Sequence, residues 1–171
     1  VERLTPLAID QGVRGVKATG VPFVLIPLHK GADGFMSDEQ FRKFYWPSLL
    51  ETVNGLVEEG CIPYLFVEGA YNTRLEYLKE LPEKLCFCHF DRTDMVKAKE
   101  VLKGRVCIAG NVPAGLMLTG TPEEVKTYCK DLIDKVGRDG GFVLTCGTSL
   151  DEGKSENIRA MIEFTKEYGR L

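Results

Sequence analysis

Apolar positions along the chain gather into five short unbroken runs, Val21–Leu28, Ile62–Val67, Leu85–Phe90, Val106–Gly110 and Phe142–Thr145. Runs of this length bounded by glycines or turn residues are the pattern of buried β-strands. Between them the apolar spacing becomes helical. An opening helix is predicted over Leu4–Thr19, and Ser37 followed by Gln40 forms a capping box for a long helix carrying Phe41, Phe44, Tyr45, Leu49, Val53, Leu56 and Val57 up to Gly60. Pro47 should kink or split that helix. Thr121-Pro122-Glu123-Glu124 starts another, with Val125, Tyr128, Cys129, Leu132, Ile133 and Val136 on one stripe before Gly137. Segments at Thr73–Leu81, Thr93–Leu102 and Ser155–Tyr168 complete about six helices. Strands separated by helices run parallel, so their carboxyl ends share one rim, where ligands bind on such sheets.

Each run ends in a chemically able side chain: His29, Glu68, Asp91, Asn111 and Cys146. Packing alone asks for no functional group at these positions. Glu68 leaves an apolar wall after Phe66-Val67, a setting suited to proton transfer. Asp91 serves either the site or the cap of the next helix. His29 follows Pro27-Leu28 and should point to the rim, whereas His89, inside its strand, reads as a packed side chain. Asn111 offers a donor and an acceptor to a ligand or to its own turn. Tyr71, Asn72 and Thr148 are placed to contact substrate, and Arg74 either does so or lies on a helix surface. For Cys146 an inert thiol is the leading reading.

The 171 residues are 44% hydrophobic and 27% charged, enough for one domain with a real core and outside the disordered class. With 22 basic against 25 acidic residues and no basic block, nucleic acid is excluded as the expected partner. No apolar stretch approaches the roughly 20 residues that cross a bilayer. A cytoplasmic setting is expected, and the six cysteines read as reduced thiols. Cys86 and Cys88 share one strand face without a second pair, as core residues do.

Five parallel strands fit either an open doubly wound sheet or part of a (β/α)8 barrel. The first lacks its glycine-rich phosphate loop here, since Lys30-Gly31-Ala32-Asp33-Gly34 does not match one. From Gly31 to Tyr168 the order of motifs resembles the uroporphyrinogen decarboxylase superfamily. The resemblance rests on Gly34-Phe35-Met36-Ser37, Ile62 to Gly69, Ile108 to Pro113, Thr119 to Val125, Gly140-Gly141-Phe142-Val143-Leu144 and Glu156 to Met161. It implies an α/β fold, the carboxyl-terminal portion of a (β/α)8 TIM barrel of about five β/α units, filling 1–171 as one partial domain. The opening Val1 is in keeping with that reading.

The superfamily holds two chemistries, decarboxylation of uroporphyrinogen acetate groups and methyl transfer between corrinoid proteins and acceptors such as thiols. The resemblance is nearer to the corrinoid-linked methyltransferase branch, with methylcobalamin carried by a partner protein. Porphyrinogen decarboxylation and non-catalytic binding of a ligand or corrinoid protein are the alternatives. Glu68, Asp91 and His29 are the expected catalytic residues, and Asn111, Tyr71, Asn72, Cys146 and Thr148 the expected substrate contacts. Zinc-dependent members carry histidine and cysteine ligands at positions held here by Phe66, Glu68 and Thr148, so the resemblance gives no ligand set for zinc. A set of Glu68, Cys146 and His29 offers metal donors that sequence alone does not bring together. The isolated piece is expected to be inactive and, with two open sheet edges, to self-associate.

Overall fold

The computed structural model describes residues 3–170. Strands β1 (Phe23–Pro27), β2 (Ile62–Val67), β3 (Phe87–Phe90), β4 (Cys107–Val112) and β5 (Phe142–Cys146) form one parallel sheet in the order β1-β2-β3-β4-β5. Strands placed in chain order by right-handed crossovers put every connecting helix on the same face. That is the arc of a barrel rather than a doubly wound sheet, and it agrees with the sequence reading.

The helices are α1 (Thr5–Thr19), α2 (Asp38–Gln40), α3 (Trp46–Glu58), α4 (Leu75–Leu78), α5 (Met95–Leu102), α6 (Ala114–Thr119), α7 (Pro122–Leu132) and α8 (Ser155–Tyr168). Ser37 and Gln40 exchange both bonds of the capping box that starts α2, as Thr121 and Glu124 do at α7. Pro47 has no N–H to donate, and the helix is split there. A widened π turn at Phe41–Tyr45 precedes α3, which restarts with Pro47 in its first turn. The stretch expected as Thr73–Leu81 is helical only over α4, and α6, six residues without a capping side chain, escaped the periodicity.

Strand alternation sorts the sheet into two faces. Leu28, Leu65, Val67, Cys88, Phe90, Ile108, Val112 and Cys146 pack against the helices in the main core, while Val24 and Ile26 pack against the smaller cluster of Val13, Leu56 and Cys61. The other face carries Phe23, Leu25, Ile62, Tyr64, Phe66, Phe87, His89, Ala109, Asn111, Val143 and Thr145, in lateral register across the strands. Its β1 side is apolar and open, with Leu25 at 61% and Phe23 at 50% exposure, while His89, Ala109 and Asn111 on β3 and β4 are buried. β1 and β5 are both edge strands.

Candidate active site

The carboxyl ends of all five strands lie on one rim, and β2 sets its centre. Glu68 follows Val67 and shares the open-face parity of Tyr64 and Phe66. His29 sits in the single turn His29–Gly31 after β1, its ring edge-on to Phe66 with centroids 6.3 Å apart. His29 Nδ1 pairs with Glu68 Oε2. Both groups are partly exposed, 53% and 39%, so the pair faces the mouth rather than the core. A carboxylate at Nδ1 fixes the N–H on that nitrogen and leaves Nε2 as the basic atom of the ring.

Asp91 stands beside this pair through the backbone. Its Oδ2 accepts from the Gly69 N–H at 2.9 Å, holding the turn that presents Glu68, and Arg92 Nε is 3.5 Å away. It does not cap the next helix. Asp94 does, accepting from the N–H groups of Val96 and Lys97. The β5 loop closes against Asp91 at Gly147, where a Cβ would lie 2.9 Å from the Asp91 carbonyl oxygen.

The remaining expected substrate contacts are largely engaged by the fold. Asn111 donates through Nδ2 to the carbonyls of Asp91 and Thr93, at 3.0 and 2.9 Å. Asn72 Oδ1 accepts from the Asp94 N–H at 2.9 Å, on the exposed side of the same turn. Tyr71 is a correction: it is 1% exposed, donates its hydroxyl to the Leu28 carbonyl, and burial pushes its phenol well above the usual range. Arg74 is likewise buried, paired with Asp38 and stacked over Phe41 at 4.4 Å, not a surface charge. Thr148 is half-buried in the loop after β5.

The expectation of Cys146 as a substrate contact is a second correction. Its position in β5 has the parity of Phe142 and Leu144, so its thiol points to the helices, 3.9 Å from Met161 Sδ on α8. Burial raises its pKa, which makes it a poor nucleophile. Thr145 is the β5 side chain on the open face, paired in register with Asn111.

His89 and Tyr64 form a pair that the sequence reading left apart. Their common parity with Asp91 and Glu68 was the available signal. His89 Nε2 lies 2.6 Å from the Cys146 carbonyl oxygen, which can only accept, so Nε2 carries the hydrogen. In the neutral ring Nδ1, 2.6 Å from the Tyr64 hydroxyl, is then the acceptor. Burial depresses its pKa below the ordinary 6.5. A depressed base takes up its proton in the unfolded chain first, so stability is full above pH 6.5 and falls as pH drops toward the folded-state value. In His89→Gln the melting temperature should therefore depend less on pH below 6.5 than in the wild type. Identical slopes by differential scanning calorimetry would remove this assignment.

Phe66, Glu68 and Thr148 bring one carboxylate, one hydroxyl and no imidazole or thiolate to the positions of the zinc ligands. Among the described residues no group of three or more His, Cys, Asp or Glu side chains is placed to hold a metal ion. With Cys146 turned to the helices, the donor set does not fit zinc. Among the described residues, no helix is long and apolar enough to cross a membrane.

A parallel β/α arc with an imidazole–carboxylate pair and a second carboxylate on its carboxyl rim defines the class, a half of a TIM-barrel protein with its polar groups where barrel sites form. Residues 2–168 match the family model described as uroporphyrinogen decarboxylase (URO-D), and the chain belongs to that family. Similar curated proteins are the uroporphyrinogen decarboxylases of Chlorobaculum parvum, 32% identical over 77% of this chain, and Chlorobium phaeobacteroides, 24% identical over 85% of it. The chain spans 38% and 45% of their lengths. A solved methyltransferase from Methanosarcina mazei superposes with a TM-score of 0.75 at 21% identity, covering 97% of this chain and 48% of its own. That likeness establishes the fold.

Proposed function

We propose that this chain supplies the acceptor-activating part of a corrinoid-linked methyltransferase site, and that it does so without zinc. The His29–Glu68 pair carries the reading. Glu68 orients the imidazole, and His29 Nε2 takes the proton from the thiol or hydroxyl of the methyl acceptor as that atom becomes a nucleophile. A corrinoid on a partner protein supplies the electrophilic methyl group. Phe66 packs against the His29 ring and limits its orientations, and Asp91 holds the Gly69 turn in place. An imidazole base thus takes over the acceptor activation that a zinc ion performs by binding a thiolate.

The names of the curated relatives favour a second reading, uroporphyrinogen decarboxylation. The mouth argues against it: Glu68 and Asp91 place two carboxylates where a polyacidic porphyrinogen would enter, with the Arg92 guanidinium as the cation beside Asp91. Anaerobic incubation of the whole protein with methylcobalamin and a thiol, followed by the cobalamin absorbance, should show acceptor-dependent demethylation. Absence of turnover there, with carbon dioxide released from uroporphyrinogen, would replace this reading with the second.

A further inference from the structure

The opposite end of the sheet holds a second polar feature that the mouth does not use. A cavity of about 360 Å³ opens where β4 and β5 begin, lined by Lys84, Lys99, Lys103, Arg105, Asp139 and the Gly140-Gly141 pair among others. We propose that this cleft binds a compact oxyanion of phosphate type carrying two or more negative charges.

Four cations meet there against two carboxylates, and the pairing is uneven. Asp139 is shared by Lys99, at 2.6 Å, and Lys103. Lys99, only 12% exposed, also donates to the Gly140 carbonyl. Glu83 is 3.5 Å from Arg105 and 3.6 Å from Lys84, distances too long for strong charge-assisted bonds. Arg105 gives Nη2 to the Lys79 carbonyl at 2.6 Å, while its Nε is buried with no hydrogen-bond partner. A buried donor without a partner is costly and calls for an acceptor.

The backbone adds two independent signs. Lys84 has a φ of 61°, a left-handed conformation that glycine or asparagine adopts more readily. That residue places its ammonium group at the lip of the cationic cleft. Gly140 and Gly141 are consecutive left-handed residues, and the space a Cβ would take at either is open. Their bare backbone widens the cavity and lets an anion approach the main chain. The ion pairs to Asp139 hold α5 against the loop before β5, which leaves Lys84 and Arg105 as the groups that complete an anion.

Isothermal titration of the full chain with inorganic phosphate and with pyrophosphate, at fixed ionic strength, should give saturable binding that sodium chloride does not reproduce. Lys84→Gly and Lys84→Asn both relieve the left-handed strain, so neither should lower the melting temperature, and each should weaken binding about tenfold. Saturable binding lost in both stable variants supports the site. No binding by the wild type in the millimolar range, or equal affinity in the variants, overturns it.

Discussion

Turnover with methylcobalamin and a thiol falls by about 10²- to 10⁴-fold in His29→Gln, the range that a positioned general base contributes. Glutamine keeps much of the side-chain volume and polarity but cannot take the acceptor's proton at neutral pH. Glu68→Gln keeps a hydrogen-bonding partner for Nδ1 and removes only the charge that favours the basic tautomer, so its loss is smaller, about 10- to 100-fold. Chemical rescue separates chemistry from folding: added imidazole restores part of the rate in His29→Gln. Because the pair lies at the exposed mouth, neither substitution should move the melting temperature by more than a degree or two. Wild-type turnover in both variants would end the proposal that this pair activates the acceptor.

Asn157→Ala lowers the unfolding free energy by about 2–3 kcal/mol, read as a shift of the urea midpoint at constant slope. Asn157 is 0% exposed on α8, and its amide donates to the carbonyls of Met117 and Gly120, each at 3.0 Å. Those carbonyls end α6, whose last turn has no other side-chain cap besides Lys154, which reaches Gly120 at 3.1 Å. Alanine removes both bonds and leaves a buried gap in the contact between α8 and the α6–α7 turn. The Asn157 Oδ1, buried without a protein partner, is lost at the same time and offsets part of the cost. An unchanged midpoint would show that the α6 terminus is held by packing alone.

Strand identity, parallel direction and the position of the rim were all legible, because buried parallel strands write themselves as continuous apolar runs. The same continuity hid which face each strand-end residue takes. β5 extends one residue further than its apolar run, to Cys146, and alternation then turns the thiol toward α8 instead of the mouth. Tyr71 and Arg74 look like polar loop residues in the sequence. Their burial depends on Leu28, Phe41 and Asp38, partners 33 or more positions away that local pattern cannot reveal. Of the resemblance motifs, the Glu-Asn-Ile element proved to hold a helix junction, and the Thr-Pro-Glu-Glu element a capping box. The His29–Glu68 contact was half legible: each residue was marked as a rim group, but their meeting depends on the β1–β2 register.

His89 sits on β3 yet bonds to a carbonyl of β5, passing over β4 where Ala109 leaves room. Strands two apart in a flat sheet are about 10 Å distant, more than one imidazole comfortably spans. The bond therefore acts as a chord drawn across the bend, fixing how tightly these three strands curl. An arc so braced carries its radius within itself, and ring closure becomes the docking of a preshaped segment onto its complement.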